Sequence, residues 1–424
     1  MINKIKDYSN QYRGELIFLL SSYTTPIVGL VASFIAAAYI APADFGSIQA
    51  VLLIAPYIAF LQLGTFNGLN RNLSFYKALG NDHKVQNMVN ASKLVANVVS
   101  FIGGITAVGI IFYYIFVYEA ERIVILASIA LLLNLVFSPQ STHFDTTFRS
   151  GQEFKKLGKV KLIENGMNTL LGFLPIILGY LGRIIYDSFK SILGWFLRFK
   201  NQPYHVTDQG KFKDVKELIQ IGFPLLLGGY ILQLFLIADQ SLIALFLGKE
   251  ELGYYTLSKL ILIAVPVIPQ SIGMILYPKA SALYGEVKNN NALKGFYWKS
   301  LLLNLIVLVP ICLLLYFLIE PATMLVMPNY APGIQAAKIN ILTCFTFISN
   351  GPSIIVGVVR RNSPLIFANA AALAAIWGSG WLLTGSGGGT IEEIAWLRCG
   401  AALILSVFTL GYSYYLTTLN EFNK

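Results

Sequence analysis

Residues 16–40, LIFLLSSYTTPIVGLVASFIAAAYI, contain no charged side chain. A helix rises ~1.5 Å per residue and the hydrocarbon core of a bilayer is ~30 Å thick, so about 20 apolar residues cross it. Similar runs recur along the 424-residue chain, in which 56% of residues are hydrophobic and 12% are charged. Soluble domains carry roughly 25% charged residues. The composition therefore predicts an all-α integral membrane protein.

The apolar runs predict twelve transmembrane helices. Their predicted bounds are 16–40, 44–70, 92–118, 122–148, 157–181, 183–199, 217–247, 252–278, 295–319, 331–358, 363–384 and 391–416. The sixth is short and contains Asp187 and Lys190, so the alternative is an amphipathic helix lying in the interface. We interpret it as a span, because otherwise the strongly basic segment 198–216 would lie outside the cell.

Basic residues are distributed unevenly between the two sides of these helices. The N-terminus, the gaps after even-numbered helices and the tail hold 24 of the 31 lysines and arginines, whereas the gaps after odd-numbered helices hold only Arg122, Arg183 and Lys249. Because Lys and Arg are retained on the cytoplasmic side, both termini are expected in the cytoplasm. These basic cytoplasmic loops, which also face anionic lipid, explain the net charge of +10. The charge therefore does not indicate a nucleic-acid partner.

The sequence predicts neither a metal site nor a disulfide. The three cysteines, Cys312, Cys344 and Cys399, lie within apolar runs, and the three histidines have no metal-ligand spacing. No cofactor is therefore expected. The first helix is too long for a cleavable signal peptide and is the expected targeting element.

The two halves of the chain resemble each other. The turn APADFG at 41–46 closes the first helix, and GKEELG at 248–253 closes the seventh in the same way. This repeat predicts an N-terminal lobe at 1–200, a cytoplasmic linker at 201–216 and a C-terminal lobe at 217–424, with a substrate site between the lobes. The alternative is chance similarity between apolar helices that share an acidic-apolar-Gly turn.

Polar side chains form stripes on helices 1, 2, 7 and 8, which are the predicted lining of a cavity. In lipid, such side chains normally face the protein interior or a watery space. The candidate substrate-binding residues on these helices and at their ends are Asn67, Asn70, Arg71, Gln233, Lys259, Gln270 and Lys279. The alternative is helix–helix packing, which also favours small and hydrogen-bonding side chains.

Charged residues also occur deep within the predicted spans. Asp239 and Lys259 are expected at similar depth, and a buried charge costs at least ~2.5–3.5 kcal/mol, so we predict that they pair. As a hypothesis, this pair opens when an ion enters and acts as a coupling or gating switch. The other cations predicted to make the outer half positive are Lys190, Lys338 and Arg398. Snorkelling to the interface is the alternative for each of them.

Two further ion pairs are predicted at the cytoplasmic ends of helices. Asp145 and Arg149 are separated by one helical turn, which favours a local pair. Glu164 is near Lys161 on the fifth predicted helix and is expected to pair in the same way.

Two blocks of the chain resemble polysaccharide-export flippases of the multidrug/oligosaccharidyl-lipid/polysaccharide (MOP) superfamily. The first contains IAPADFG at 40–46, LG at 63–64 and NGLNR at 67–71. The second contains GFP at 222–224, Asp239, LG at 247–248, ELGY at 251–254, Lys259 and YP at 277–278. The resemblance covers most of the chain as a helix pattern. The chain departs from it at the short, charged sixth helix.

The resemblance implies two pseudo-symmetric six-helix lobes around a central cavity, as in MATE-like members of the superfamily. It also implies a non-enzymatic flippase in the bacterial plasma (inner) membrane. Its substrate would be an undecaprenyl-diphosphate-linked oligosaccharide for O-antigen or capsule, and a polysaccharide polymerase and a chain-length regulator are expected partners. The diphosphate would bind Arg71, Lys279 and Lys259, while Asn67, Asn70, Gln233 and Gln270 would bind sugars. The coupling ion, H+ or Na+, is left open.

Two other functions compete with this interpretation. A multidrug/cation antiporter of the same superfamily would favour acidic residues in the cavity, and the first helix contains none. A membrane polysaccharide polymerase or glycosyltransferase would need a long extracytoplasmic loop or a soluble catalytic region, and the predicted outer gaps are short.

Overall fold

The computed structural model describes residues 2–207, 210–287, 290–385 and 388–419, and every regular element in these ranges is helical. The all-α class predicted from the sequence is confirmed. The chain divides into two compact units. Unit 1 comprises Met1–Ile40 and Ser47–Tyr230, and unit 2 comprises Ala41–Gly46 and Ile231–Lys424. The two units are compact bodies and are not defined by the sequence repeat. The predicted lobes at 1–200 and 217–424 and the linker at 201–216 therefore stay a prediction.

In the described residues, unit 1 contains ten α-helices, of which the second and tenth also contribute residues to unit 2. They are α1 (Ile2–Tyr39), α2 (Pro42–Leu52), α3 (Ala55–Ile58), α4 (Thr65–Ala78), α5 (Asp82–Phe116), α6 (Arg122–Ser150), α7 (Phe154–Leu171), α8 (Leu174–Leu178), α9 (Tyr180–Lys200) and α10 (Phe212–Leu242). The Asn81 side chain caps α5 by accepting the backbone N–H of Lys84. The interior of this unit is apolar where α5 and α6 pack together around Ala127, Leu131 and Leu135.

Unit 2 contains the remaining helices and the last part of α10. They are α11 (Lys249–Tyr254), α12 (Thr256–Ala264), α13 (Val267–Val287), α14 (Leu293–Val326), α15 (Ile334–Cys344), α16 (Ile354–Val359), α17 (Ser363–Thr384) and α18 (Ile391–Thr418). A capping box, in which Thr390 and Glu393 each accept a backbone N–H from the other, starts α18. A buried apolar cluster between α13, α16 and α18 includes Ile355, Val356 and Leu416.

Ten segments of the described chain are long and apolar enough to cross a membrane. The two predicted spans outside this set are the fifth and the sixth, which correspond to α7 with α8 and to α9. α7 carries five charged residues and ends at Leu171, before α8 begins. α9 also carries five charged residues, although its 21 residues make it ~30 Å long. The protein is therefore a multi-pass helical membrane protein, and the number twelve stays a prediction. The terminal residues 1 and 420–424 lie outside the described ranges, so their cytoplasmic location also stays a prediction.

Prolines interrupt the second helix of each predicted half but not the first. Pro26 and Pro224 lie inside the continuous helices α1 and α10. Pro56, in contrast, is in the first turn of α3, after α2 has ended, and Pro266 lies between α12 and α13. A proline removes one backbone hydrogen bond from a helix. The second helix of each predicted half is therefore interrupted near Pro56 and Pro266.

Glycines of the repeated turn allow two backbone segments of unit 2 to touch. A Cβ atom on Gly46 would lie 1.7 Å from the carbonyl oxygen of Lys249, and one on Gly253 would lie 1.9 Å from that of Pro42. No side chain fits at such distances. Glycine at 46 and 253 is therefore required by the contact between the two repeated turns.

In unit 1, Gly64 and Gly222 likewise allow two backbone segments to come into close contact. A Cβ atom on Gly222 would lie 1.9 Å from the carbonyl oxygen of Gly64. Gly64 has a φ angle of 81°, in the left-handed region that glycine adopts without strain. Backbone packing thus explains Gly46, Gly64, Gly222 and Gly253 of the two blocks that resemble polysaccharide-export flippases.

Candidate functional site

Three predicted substrate-binding residues lie on α4 in unit 1. Asn67 is half-buried, whereas Asn70 and Arg71 are exposed. The side-chain oxygen of Asn70 accepts a hydrogen bond of 3.0 Å from the Ser150 hydroxyl at the end of α6. Part of the Asn70 amide is therefore committed to holding α4 against α6. Arg71 presents its side chain at the surface of the unit.

The other four predicted substrate-binding residues lie in unit 2. Gln233 is on α10, Lys259 on α12, and Gln270 and Lys279 on α13. Lys259 is half-buried, and the other three are exposed. A substrate passage lined by these residues together with those of α4 stays a prediction.

A fully buried ion pair lies inside unit 2. Asp239 on α10 and Arg398 on α18 are 0% and 2% exposed, and Oδ2 of Asp239 lies 2.8 Å from Nη1 of Arg398. The same Nη1 donates to the backbone carbonyl of Leu236 at 3.1 Å. A charge in the hydrocarbon region costs at least ~2.5–3.5 kcal/mol, so each member of the pair stabilises the other.

Asp239 forms its ion pair with Arg398, whereas the sequence predicted that Lys259 would be its partner. Arg398 had been expected to line a cationic passage or to snorkel, and its burial contradicts both expectations. A guanidinium carries five N–H donors in a fixed plane, so it satisfies a carboxylate and a backbone carbonyl at once, which a lysine does less well. A gating role for Asp239 and Lys259 stays a prediction.

Two further polar residues complete the buried network of unit 2. The Tyr255 hydroxyl donates to Oδ2 of Asp239 at 2.7 Å, and Nδ2 of Asn340 donates to the Tyr255 oxygen at 2.9 Å. Tyr255, which lies between α11 and α12, is thus bonded to α10 and α15, and the Asp239–Arg398 pair adds α18 to the network. Within the described chain, Nε of Arg398 and Oδ1 of Asn340 have no hydrogen-bond partner.

Unit 1 contains a second arginine network, which the sequence did not predict. Nε of Arg198 on α9 lies 2.7 Å from Oδ1 of Asp145 on α6, and its Nη1 lies 2.8 Å from Oε2 of Glu164 on α7. Nη1 also donates to the backbone carbonyl of Gly194 at 2.8 Å. One guanidinium thus holds three helices together.

The local ion pairs predicted for these two carboxylates are wrong. Nε of Arg149 bonds the backbone oxygen of Asp145 at 3.3 Å, and the carboxylate of Asp145 binds Arg198 instead. Nζ of Lys161 lies 3.3 Å from the Ser22 hydroxyl, while Glu164 binds Arg198. Both carboxylates therefore pair with an arginine of another helix instead of a basic residue of their own helix.

A polar cavity of about 230 Å³ lies beside the Arg198 network, entirely within unit 1. Charged side chains from α7 and α9 line it, as do hydroxyl and amide groups from α6. These polar lining residues are Asn134, Ser138, Ser141, Glu164, Asp187, Lys190, Ser191 and Arg198. A polar cavity of this size has room for water. The charged face of α9, which made this helix a doubtful span, is therefore directed into the unit.

The remaining predicted cations have defined neighbours. Nζ of Lys338 on α15 lies 2.6 Å from Oε2 of Glu320 on α14. Lys190 lines the polar cavity and lies 5.9 Å from the ring centre of Tyr186. Lys338 and Arg398, two of the cations predicted to make the outer half positive, are thus neutralised by carboxylates.

Sequence comparisons place the chain in one family. Residues 35–329 match the family model described as polysaccharide biosynthesis protein. A relative from Bacillus subtilis (strain 168), the teichuronic acid biosynthesis protein TuaB, is 26% identical over 200 residues. That match covers 45% of this chain and 40% of the relative, less than half of either protein.

Solved structures with the same fold are transporters. An inward-facing multidrug resistance MATE family transporter of the MOP superfamily matches with a TM-score of 0.76 and 11% identity, over 95% of this chain and 98% of that one. A MOP superfamily transporter from Pyrococcus furiosus matches with a TM-score of 0.64 and 12% identity, over 96% of this chain and 95% of that one. Its description states that a reversed polarity of its binding pocket suggests a different function. At these identities the likeness establishes the fold.

The family match confirms the resemblance to polysaccharide-export proteins, and the fold is that of solved transporters. This multi-pass membrane protein belongs to the polysaccharide biosynthesis protein family and has the fold of MOP superfamily transporters.

Proposed function

We propose that the protein flips undecaprenyl-diphosphate-linked oligosaccharide repeat units from the inner to the outer leaflet of a bacterial plasma membrane by alternating access. The observation that carries this proposal is the family match over residues 35–329 on a transporter fold. A flippase breaks no bond. It lowers the barrier to moving a polar head group through ~30 Å of hydrocarbon.

The chemistry of the candidate residues suits an anionic head group. Arg71 and Lys279 are exposed cations near the predicted cytoplasmic side, and Lys259 lies deeper. Arginine and lysine are the side chains that bind phosphate oxygens through charge-assisted hydrogen bonds. The sugars would bind the amides of Asn67, Asn70, Gln233 and Gln270, while the prenyl chain stays in contact with lipid.

The pairing of carboxylates argues against the multidrug/cation antiporter. A cationic drug needs an acidic partner, but Asp239, Asp145 and Glu164 each bind an arginine within the protein. In the related transporter from Pyrococcus furiosus, pocket polarity is described as the feature that suggests a different function. A basic candidate set in this chain favours an anionic substrate on the same reasoning.

A vesicle assay tests the proposal. The full chain is reconstituted with a fluorescent undecaprenyl-diphosphate oligosaccharide, and transfer between leaflets is followed with a membrane-impermeant glycosidase. We expect Arg71→Ala with Lys279→Ala to slow transfer about tenfold or more, because a hydrogen bond to a charged group contributes ~1.5–3 kcal/mol. Lys155→Ala, at an exposed position on α7, is the matched control.

The same assay separates the competing functions. Transfer at the normal rate in the double variant would reject the roles of Arg71 and Lys279. No transfer by the unaltered chain, together with drug resistance conferred on a pump-deficient host, would favour the antiporter. A pH or sodium gradient imposed across the vesicles identifies the coupling ion. Pull-down with a polysaccharide polymerase and a chain-length regulator tests the proposed partners.

A further inference from the structure

An apolar groove of about 660 Å³ runs between α17 and α18 in unit 2. One side is formed by Phe367, Ala371 and Ala375 of α17, and the other by Ile404 and Phe408 of α18. Phe367 and Ile404 are 75% and 70% exposed, so the groove opens onto the surface of the unit. In a membrane protein, an apolar surface of this kind faces the hydrocarbon of the bilayer.

The groove is about as long as one leaflet is deep. It begins at Pro364, in the first turn of α17, and extends to Ala375. The eleven helical rises between these two residues correspond to ~16 Å, about half of the ~30 Å hydrocarbon thickness. The predicted topology places the start of α17 on the cytoplasmic side. The groove therefore occupies the cytoplasmic leaflet, where the proposed substrate begins its passage.

The cytoplasmic end of the groove is basic and aromatic. Arg360 and Arg361 immediately precede α17, and Arg360 is exposed. The Tyr412 hydroxyl of α18 donates to the backbone oxygen of Arg361 at 3.1 Å, and the Tyr412 ring stacks on Phe408 of the groove. This contact holds the backbone of Arg361 at the groove entrance. Arginine and tyrosine at this level meet lipid head groups.

We propose that, before the head group reaches Arg71, Lys279 and Lys259, the groove binds the prenyl chain of the lipid-linked substrate, with the isoprene units nearest the diphosphate along α17 and the diphosphate at Arg360 and Arg361. This assignment rests on the proposed function and names the lipid subsite of the same substrate. The charge at one end and the apolar walls along the rest complement a molecule with an anionic head and a branched hydrocarbon chain. The site holds the substrate in the leaflet from which it is taken.

Photo-crosslinking tests the proposal directly. The full chain, in vesicles of phosphatidylethanolamine and phosphatidylglycerol, is labelled with a polyprenyl diphosphate that carries a diazirine on its first isoprene unit. We expect the label on α17 and α18 within the groove, with competition by unlabelled polyprenyl diphosphate but not by added phosphatidylglycerol. Equal labelling by a photoreactive phosphatidylglycerol would show an ordinary lipid contact and overturn the assignment. Crosslinks between two copies of the chain, or labels elsewhere, would overturn it as well.

Variants give a second measurement. Ala371→Phe with Ala375→Phe fills the groove, and we expect labelling to fall about tenfold because the apolar contact area is lost. Ala374→Phe is the matched control, since Ala374 is exposed on α17 but does not line the groove. Arg360→Gln should raise the probe concentration for half-maximal labelling about fivefold, since one basic residue contributes ~1 kcal/mol to binding an anionic lipid surface. Equal labelling of the groove-filling variant and its control would contradict the proposal.

The oligosaccharide transfer assay on the same vesicles separates the two proposals. Intact transfer with the label outside the groove rejects the lipid subsite and leaves the flippase in place. Loss of both transfer and labelling in the unaltered chain rejects both.

Discussion

Each unit contains an arginine bound to carboxylates, but the two arginines differ in the space around them. In unit 2, Asp239 and Arg398 are 0% and 2% exposed and are enclosed by packed helices. In unit 1, the side chains of Arg198 and Glu164 are 8% and 12% exposed, that of Asp145 is 26% exposed, and a polar cavity lies beside them. The arginine–carboxylate pair is thus inaccessible to water in unit 2, whereas in unit 1 it lies beside a cavity that has room for water.

This difference determines what each network is suited to do. A buried pair with no adjacent space cannot replace a lost partner, so removal of one member leaves a charge in a low-dielectric interior. A pair beside a polar cavity can exchange its partner for water or another side chain at lower cost. The network of unit 2 is therefore a fixed connection between helices, whereas the network of unit 1 is the one suited to rearrangement during transport.

The largest effect is expected from Arg398→Met, which leaves Asp239 without its counter-charge. Removal of one partner from a buried ion pair typically costs ~3–5 kcal/mol. We expect a marked loss of thermal stability in detergent, followed by size-exclusion chromatography of the heated protein, and less protein in the membrane. The double variant Asp239→Asn with Arg398→Met should regain most of this loss. A single variant as stable as the unaltered chain would show that Asp239 finds another partner.

A smaller effect is expected from Arg198→Met in unit 1. Asp145 and Glu164 retain access to the cavity, so we expect a cost of ~1–3 kcal/mol, comparable to one lost hydrogen bond of a charged group. The same heating assay measures it, and Arg198→Lys is the charge-conserving control, which keeps one of the two carboxylate contacts. A stability loss as large as that of Arg398→Met would mean that the cavity does not solvate these carboxylates, and the contrast between the units would disappear.

The sequence predicted that charges lie within apolar helices but not which charges meet. Asp239 and Arg398 were both recognisable, because each interrupts a long apolar run. Helical periodicity indicates the face on which a residue lies. It does not indicate which helix packs against that face, so the nearby Lys259 was predicted as the partner in place of Arg398, which is far along the chain.

Arg198 shows a second reason for incomplete prediction. The predicted sixth helix ends at residue 199, but Arg198, in its last turn, is assigned to the strongly basic segment 198–216. In the structure α9 continues to Lys200 and directs Arg198 into unit 1, where it is buried. Tyr255 and Asn340 carried no signal, since a tyrosine at a helix end and an asparagine in an apolar helix are common in membrane proteins. Gly46 and Gly253, in contrast, are visible as parts of the repeated turn, because the close backbone contact there excludes every residue except glycine.

The smallest effect is expected from Lys338→Ala. This variant tests whether the loss of stability on breaking an ion pair depends on the exposure of its side chains or on their predicted depth in the membrane. Nζ of Lys338 lies 2.6 Å from Glu320, but the Glu320 side chain is 54% exposed. An exposed pair contributes ~0–1 kcal/mol and is screened by salt. We therefore expect thermal stability close to that of the unaltered chain at 0.15 M salt, with any difference shrinking as the salt concentration rises. Lys338→Arg should be indistinguishable from the unaltered chain. A loss approaching that of Arg398→Met would show that Glu320 is enclosed in the membrane, and exposure would then no longer separate the weak pairs from the strong one.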